Sequence, residues 1–268
     1  MGMVASPEFP EWVLAVEAMV KKTAARILSQ DFTVMGKGRQ DIVTGLDYAM
    51  EREIKRQLHE MFPNDRFIGE EENQGTPGPE RTWVCDPIDG TVNFVMELPY
   101  FGVTLALLEN TVPVFSLIHL PKLDETYMAM RGKGAYLNGT RLLSHPDRQL
   151  AQSIVTFGDF SKSNPTSRPF QIRAMQKLMA EALRVRIQGA SSVDFAFLAA
   201  GRNGCHILFS SSVWEVVPGT LMAEEAGCVT ASLNGQDYGF RRKGLVIATN
   251  QQILDQVVRA LDRGWRSV

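Results

Sequence analysis

The amino-acid sequence predicts a layered protein of the α+β or α/β class. Apolar residues at helical spacing dominate the first part of the chain, β-prone apolar runs dominate the middle, and strands and helices alternate over roughly the last 110 residues. Such alternation is typical of sheets that are covered by helices. The pattern changes near residues 145–150, so an internal boundary is predicted there within a single unit that spans residues 1–268.

Two amphipathic helices are predicted in the N-terminal part. Apolar side chains recur every three or four residues between Pro10 and Leu28, and a second helix runs from about Thr44 to Met61. Glycines on both sides of Lys37 break the helical pattern between them, which predicts a loop or hairpin over 31–41. Within it, Lys37 is interpreted as a solvated loop lysine, with a lid over a site as the alternative.

The middle of the chain is predicted to be rich in β-strands. A short strand over 66–69 leads to three consecutive glutamates, an exposed loop is predicted over 73–80, and a buried strand that begins at Trp83 ends at Asp86. A glycine-rich turn region is predicted over 131–139. The further strands that apolar runs predict cover residues 103–108, 112–120 and 125–130.

The C-terminal part is predicted to alternate between strands and helices. The predicted strands cover residues 153–157, 184–188, 204–209 and 245–249. The predicted helices cover residues 168–183, 192–200, 214–227 and 250–262. We therefore expect a sheet with helices packed on its faces.

Composition narrows the class of protein. The chain has 268 residues and 44% hydrophobic residues, a composition that excludes a disordered chain. Its net charge is −2, and because a nucleic-acid-binding protein normally has an excess of basic residues, no nucleic-acid partner is expected. Three cysteines far apart are typical of a reduced intracellular protein. No apolar run is long enough for a membrane span, and the N-terminal stretch lacks the apolar region of a signal peptide. We expect a cytoplasmic protein with no membrane partner.

Several common catalytic motifs are absent from the sequence. It contains no P-loop, no complete dinucleotide-binding fingerprint and no Gly-x-Ser-x-Gly nucleophile elbow. Its four histidines are scattered singly, which argues against a histidine zinc site. A site made of oxygen ligands is therefore favoured.

The densest cluster of candidate residues lies in the segment 83–94. A buried strand delivers Asp86 to its C-terminal end, a proline forces a turn, and Asp89 follows three residues after Asp86. In such a turn the two carboxylates and the Ile88 carbonyl can face one point, as hard oxygen ligands that Mg²⁺ accepts. Gly90 lacks a Cβ, so a phosphate can approach the backbone N–H groups there. The alternative is an ordinary turn and helix cap.

Three other carboxylates precede or follow predicted elements. Thr44 and Asp47 have the spacing of a capping box, Glu70 follows a predicted strand, and Glu215 opens a predicted helix, where the helix dipole stabilises an acid. Each is explained by local structure when taken alone. Two like charges about 4 Å apart repel each other by about 4 kcal/mol. If the three carboxylates converge with the two aspartates, two or more divalent ions are therefore needed to neutralise the cluster. Such ions suit phosphoryl transfer to water.

The segment 83–94, which reads WVCDPIDGTVNF, resembles the first signature of the inositol monophosphatase family. This family belongs to the larger group of Mg²⁺-dependent, lithium-sensitive sugar phosphatases. The segments that support the resemblance are 41–47, 67–71, 131–139 and 189–201, in the order found in the family. Together they extend over roughly residues 10–262, nearly the whole chain.

The resemblance implies a layered α/β/α/β/α sandwich of the sugar phosphatase type, commonly a homodimer. Its N-terminal half would carry the metal site, with two or three Mg²⁺ ions, and its C-terminal half would close the substrate pocket. The implied metal ligands are Glu70, Asp86, Ile88 through its carbonyl, Asp89 and Glu215. The implied catalytic residues, which orient the attacking water, are Asp47, Glu70 and Thr91. The implied substrate-binding residues are Asp89, Gly90, Thr91, Gly189, Ala190 and Ser191.

Two positions depart from the family pattern. Glu215 stands where the second family signature usually has an aspartate, and its longer side chain is expected to place or hold the second ion differently. Leu208 stands where inositol-specific members carry a glutamate that binds sugar hydroxyls. A leucine accepts no hydrogen bond, so the resemblance does not fix the substrate.

The expected function is a Mg²⁺-dependent phosphoric monoester hydrolase of the inositol-phosphate phosphatase type. Its substrate would be a small phosphorylated sugar or polyol such as inositol 1-phosphate. The alternatives in the same class are fructose 1,6-bisphosphatase, 3′-phosphoadenosine 5′-phosphate phosphatase and NADP phosphatase activity. The alternative from another class is a catalytically weakened homologue that binds a protein partner, an interpretation favoured by Glu215 and Pro218.

Overall fold

The computed structural model describes residues 9–38, 41–159, 168–209, 212–239 and 244–261. The helices are α1 (Glu11–Ile27), α2 (Gly45–Met61), α3 (Thr91–Val95), α4 (Arg168–Glu181), α5 (Ser191–Ala199), α6 (Val213–Glu225) and α7 (Gln251–Leu261). The first seven strands are β1 (Val34–Gly38), β2 (Asp41–Thr44), β3 (Arg66–Gly69), β4 (Thr82–Asp89), β5 (Gly102–Glu109), β6 (Val112–Leu120) and β7 (Glu125–Met130). The others are β8 (Gly134–Leu137), β9 (Thr140–Arg141), β10 (Ile154–Phe157), β11 (Arg184–Ile187), β12 (Cys205–Leu208), β13 (Val229–Ser232) and β14 (Leu245–Ala248).

Two large sheets form the frame of the molecule. The seven-stranded sheet has the order β3-β4-β5-β6-β7-β8-β9, in which β3 and β4 are parallel and the other neighbours are antiparallel. The five-stranded sheet has the order β11-β10-β12-β14-β13, with β10 parallel to β11 and β12. Strands β1 and β2 form a separate hairpin that leads into α2.

Helices separate and cover the two sheets. Helices α1 and α2 pack on one face of the seven-stranded sheet, and α6 packs on its other face beside α5. Helices α5 and α6 also contact the five-stranded sheet, whose outer face is covered by α4 and α7. This order gives the layers α/β/α/β/α, so the predicted layered fold is confirmed.

The core beneath α1 and α2 supplies much of the apolar burial. Trp83 and Phe115 on the large sheet and Trp12 on α1 meet edge to face, and the first two are at most 1% exposed. Burial of a large apolar side chain stabilises the fold by roughly 1.5–3 kcal/mol. Helix α1 is therefore fixed by its apolar face.

The structure corrects several predicted boundaries. Strand β4 does not end at Asp86 but continues to Asp89, because the β4–β5 register shifts between these residues and so accommodates Pro87, which has no N–H to donate. The region 131–139 is not only a turn, since it contains β8. Strand β13 and helix α3 were not predicted, because a four-residue edge strand and a five-residue helix carry little periodicity.

Some predictions reach beyond the described residues. Residues 39 and 40 of the predicted loop or hairpin, and residue 262 of the last predicted helix, lie outside them. The predicted boundary near residues 145–150 stays a prediction, although α5 and α6 from the C-terminal part pack on the sheet of the N-terminal part. Within the described ranges, no helix combines the length and apolar character needed to cross a membrane. The three cysteines are buried and free.

Candidate active site

Two parallel strands deliver acidic residues to one edge of the seven-stranded sheet. Glu70 follows the last residue of β3, and the neighbouring strand β4 ends with Asp86 and Asp89. Helix α6 packs on β4 and carries Glu215 in its first turn. Burial raises the pKa of Asp86 well above its usual range, and the charges of Glu70, Asp89 and Glu215 raise it further. The four predicted carboxylates are thus brought within electrostatic reach of one another.

Asp47 joins a helix cap to the site. It is fully buried in the first turn of α2, where its Oδ2 accepts hydrogen bonds from the Thr44 N–H at 2.8 Å and the Thr44 hydroxyl at 2.5 Å. Its Oδ1 lies 3.2 Å from the Thr91 hydroxyl, which is also 3.0 Å from the Ile88 carbonyl. Burial raises the pKa of Asp47, and the hydrogen bonds from the two threonines oppose that rise. The capping box and the site therefore share one carboxylate.

Two backbone segments, 90–91 and 189–191, approach each other closely beside these carboxylates and form what we call the opposing wall. Gly90 has φ +86°, and a Cβ added to it would lie 2.8 Å from the Ala190 Cβ and 3.3 Å from the Gly189 carbonyl oxygen. Asn93 fixes this contact, because its Nδ2 donates to the Gln188 carbonyl at 2.8 Å. The two segments predicted to bind substrate, 90–91 and 189–191, are therefore adjacent.

Asp89 links the large sheet to the helical layer. Its Oδ2 accepts a hydrogen bond of 2.5 Å from the Ser192 N–H in the first turn of α5. Burial raises the pKa of Asp89 to about 6, against the effect of the Ser192 hydrogen bonds. The position of this carboxylate thus depends on the packing of α5.

The four carboxylates of Glu70, Asp86, Asp89 and Glu215 form what we call the acidic edge. Lys37 supplies positive charge next to it. Its Nζ lies 2.8 Å from Glu70 Oε1 and 2.7 Å from Glu71 Oε1, and its side chain is only 25% exposed. Burial alone would lower the pKa of Lys37, but the two glutamates raise it overall. Burial also raises the pKa of Glu71 to about 7. The interpretation of Lys37 as a solvated loop lysine is wrong, because the β1–β2 hairpin turns the side chain towards Glu70.

Leu208 ends β12 as a buried side chain, 3% exposed. A Cβ added to Gly158 would overlap it, so this leucine packs closely against the residue that follows β10. It offers no polar group to a ligand, as the sequence predicted.

Sequence reasoning missed three polar residues that hold this region together. They are Glu51, Asn93 and Ser192. Glu51 had a detectable signal, because it lies four residues after Asp47 and therefore on the same face of α2. The other two act across long sequence separations and have no local signal.

The donor set fits a hard divalent cation. Carboxylate and carbonyl oxygens are the ligands that Mg²⁺ prefers. Burial and then the neighbouring negative charges raise the pKa of Asp86, and a bound cation would relieve that repulsion. Among the residues that the structure describes, no three acidic, histidine or cysteine side chains lie close enough together to hold a metal ion as they stand. Glu70 instead pairs with Lys37, and Asp89 accepts from Ser192. The ligand roles assigned from the sequence stay a prediction.

Several known proteins are similar to this chain in sequence and in fold. Inositol monophosphatase 1 from Solanum lycopersicum is 31% identical over 261 residues, which cover 94% of this chain and 95% of that protein. The Nus factor SuhB from Pseudomonas aeruginosa is 31% identical over 223 residues, covering 81% and 82%. The crystal structure of the extragenic suppressor protein suhB from Bartonella henselae has a TM-score of 0.86 at 28% identity, covering 95% of this chain and 100% of that chain.

The match to a family model extends these pairwise similarities over nearly the whole chain. The model describes the inositol monophosphatase family and matches residues 11–266, which include every candidate residue of the acidic edge and of the opposing wall. The chain therefore belongs to the inositol monophosphatase family.

Proposed function

We propose that this chain is a Mg²⁺-dependent phosphatase that hydrolyses a small phosphorylated sugar or polyol, such as inositol 1-phosphate, by attack of water. One observation carries the proposal. The buried carboxylates of Asp86 and Asp89 lie beside Glu70 and directly before the Gly90 turn, so cation ligands and backbone N–H donors occur within a few residues.

The residues that would hold two or three Mg²⁺ ions are Glu70, Asp86, Ile88 through its carbonyl, Asp89 and Glu215. When bound, the ions would activate water and neutralise the charge of the phosphate. Glu215 is half-buried at the start of α6 and contributes to the raised pKa of Asp86, so its longer side chain still acts on the shared site.

The remaining residues would act on water and phosphate. Asp47 and Thr91 form a relay in which the Thr91 hydroxyl has one proton and two acceptors, the Asp47 carboxylate and the Ile88 carbonyl. When Thr91 donates to Asp47, its oxygen is oriented to accept from the attacking water, which Glu70 also orients. Backbone N–H groups at Gly90 and Thr91, and the facing segment of Gly189, Ala190 and Ser191, would hold the phosphate and the attached sugar.

The substrate is the finer part of the proposal. Leu208 places an apolar, buried side chain at the end of β12, which does not favour a ligand rich in hydroxyl groups. Fructose 1,6-bisphosphate, 3′-phosphoadenosine 5′-phosphate and NADP are therefore tested beside inositol 1-phosphate. The measurement is phosphate release by purified protein with Mg²⁺ and with EDTA. If EDTA does not reduce phosphate release from any of the four compounds, the proposal is contradicted.

A catalytically weakened homologue that binds a protein partner is the second candidate, because a relative that is 31% identical is a Nus factor. Asp89→Asn distinguishes the two candidates. The amide keeps the shape of the side chain but removes the charge. We expect phosphate release to fall by more than the roughly 10–100-fold that loss of an outer-shell partner of a metal costs. Unchanged folding is checked by the melting temperature. Hydrolysis at the wild-type rate would contradict the assigned role of Asp89.

Two further features belong to the proposal. A homodimer is supported by the exposed apolar side chains of Val92, Met96, Leu98 and Tyr100, which lie together in the segment after Gly90. A cytoplasmic location is supported by the three free thiols. Light scattering coupled to size exclusion tests the dimer, and a monomer at micromolar concentration would contradict it.

A further inference from the structure

A buried carboxylate outside the proposed ligand set organises the segment after β3. Glu51 lies one helical turn after Asp47 on α2 and is 0% exposed. Its Oε2 accepts a hydrogen bond of 2.7 Å from the Glu71 N–H. Its Oε1 accepts from the Glu72 N–H at 3.0 Å, and from the N–H and Nδ2 of Asn73 at 3.2 and 2.8 Å. Four donors thus converge on one buried carboxylate, and hydrogen bonds of this kind fix the segment 71–73 to α2.

The other side of the same carboxylate excludes a side chain from the strand. A Cβ added to Gly69, the last residue of β3, would overlap the carboxylate of Glu51. The φ of Gly69 is not in the positive region, so space and not backbone conformation accounts for a glycine here. The last residue of β3 therefore packs directly against the side-chain carboxylate of Glu51 on α2.

Glu70 lies between these two contacts. The residue before it packs against Glu51, and the residue after it donates to Glu51. Because both neighbours are fixed, the backbone from which the Glu70 side chain extends is fixed as well. The same helix holds Asp47 against Thr91, so α2 aligns two parts of the site at once.

We propose that Glu51 is a positioning residue, which holds Glu70 in place and thereby sets the affinity of the acidic edge for a divalent cation. This inference rests on the proposed function in that Glu70 is taken as a cation ligand. Glu51 itself touches neither substrate nor cation, and it acts through the backbone of residues 69–73.

The test compares Glu51→Gln with the wild type. A glutamine has nearly the same volume, but its Nε2 donates where the loop also donates, so at least one of the converging N–H groups loses its acceptor. We expect faster hydrogen exchange of the Glu71 to Asn73 amides and a Mg²⁺ affinity, measured by calorimetry on chelator-treated protein, that is about 10–100-fold weaker. The Mg²⁺ concentration for half-maximal phosphate release should rise by a similar factor.

Glu60→Gln is the matched control. Glu60 lies on the same helix, but it is 62% exposed and pairs only with Arg56 among the contacts that the structure records. We expect its Mg²⁺ affinity and amide exchange to equal those of the wild type. A loss in this variant similar to that in Glu51→Gln would overturn the inference, because any change of charge on α2 would then suffice.

Asn73→Ala covers the case in which Glu51→Gln does not fold. It removes one of the four donors and leaves the carboxylate in place, so we expect Mg²⁺ affinity to weaken by a few-fold in the same direction. If folded Glu51→Gln binds Mg²⁺ as tightly as the wild type, the positioning role of Glu51 is overturned. If Glu51→Gln is unfolded, the same affinity in Asn73→Ala and in the wild type overturns it. Neither result contradicts the proposed phosphatase activity. Wild-type protein that binds Mg²⁺ but releases no phosphate contradicts the activity instead, and the affinities still decide the role of Glu51.

Discussion

At the scale of single residues, the site depends on contacts that leave no room for change. Gly90 has a positive φ, which favours glycine, and the close approach of Ala190 leaves no space for a Cβ. Glycine is therefore required there for two separate reasons. Asp47 likewise serves two purposes, since one oxygen caps α2 and the other faces Thr91. A substitution at either position therefore alters both local structure and the site.

Gly90→Ala should abolish phosphate release and lower the melting temperature. An added Cβ would lie 2.8 Å from the Ala190 Cβ, and the positive φ costs a further 1–2 kcal/mol or so. Gly132→Ala is the control, because Gly132 also has a positive φ of 74° but nothing lies within 4 Å of its added Cβ. It should lose about 1 kcal/mol of stability and keep its activity. Equal activity in the two variants would show that the close approach at Gly90 is not needed.

At the scale of elements, helix ends and strand ends place the chemistry. Helix α6 contains Pro218, which cannot donate to the Trp214 carbonyl one turn earlier. The Thr104 hydroxyl of β5 donates to that carbonyl at 3.4 Å instead. Proline in this helix therefore need not disturb the first turn, where Glu215 lies. Pro218, which favoured a catalytically weakened homologue in the sequence, thus has a structural explanation and does not require loss of activity.

Thr44→Val tests the cap of α2. The Thr44 hydroxyl accepts from the Leu46 N–H at 3.1 Å and donates to Asp47, and valine keeps the shape without either bond. We expect the free energy of unfolding, measured in urea, to fall by about 1 kcal/mol. Thr44→Ser keeps the hydroxyl and should stay within a few tenths of a kcal/mol of the wild type. If Thr44→Val is as stable as Thr44→Ser, the hydroxyl of Thr44 contributes nothing to the cap.

At the scale of the whole molecule, the two sheets share one helical layer. The bond from Ser192 to Asp89 and the contact between Gly90 and Ala190 both cross from that layer to the large sheet. Stability of the C-terminal layers is thus coupled to the geometry of the site. Buried polar groups in these layers should make the coupling depend on pH.

His206 should make the protein sensitive to acid. It is fully buried on β12, and burial lowers its pKa to about 3 from an ordinary value of 6.5. Because the folded pKa is lower than the unfolded one, the stability that His206 contributes is present above pH 6.5 and is lost as the pH falls towards 3. Between pH 7 and pH 5 this loss amounts to about 2 kcal/mol.

His206→Phe should therefore flatten the dependence of unfolding free energy on pH between 7 and 5. A residual slope is expected from His119, whose pKa burial lowers to about 4. Asp194, with its Oδ2 3.7 Å from His206 Nδ1, has a pKa that burial raises, and it acts in the opposite direction. An unchanged slope in His206→Phe would refute the assignment.

Local patterns in the sequence determined the layered class, most helices and strands, and the acidic cluster at the end of β4. These features depend on neighbours a few residues apart, which periodicity and turn chemistry report. They also revealed Asp47, Glu70 and Glu215 as candidates, but each had an equally good local explanation. Only their convergence in the folded chain distinguishes a shared functional site from separate local roles in a helix cap, a loop and a helix start.

Tertiary structure decided which of these side chains meet and what holds them. Lys37 reaches Glu70 across 33 positions, Glu51 reaches residues 71–73 across about 20, and Ser192 reaches Asp89 across 103. No local pattern encodes such contacts, because they result from the packing of layers that are built from distant segments. For this reason the cluster of acids could be predicted from the sequence, whereas the supporting contacts of Lys37, Glu51 and Ser192 became visible only in the folded chain.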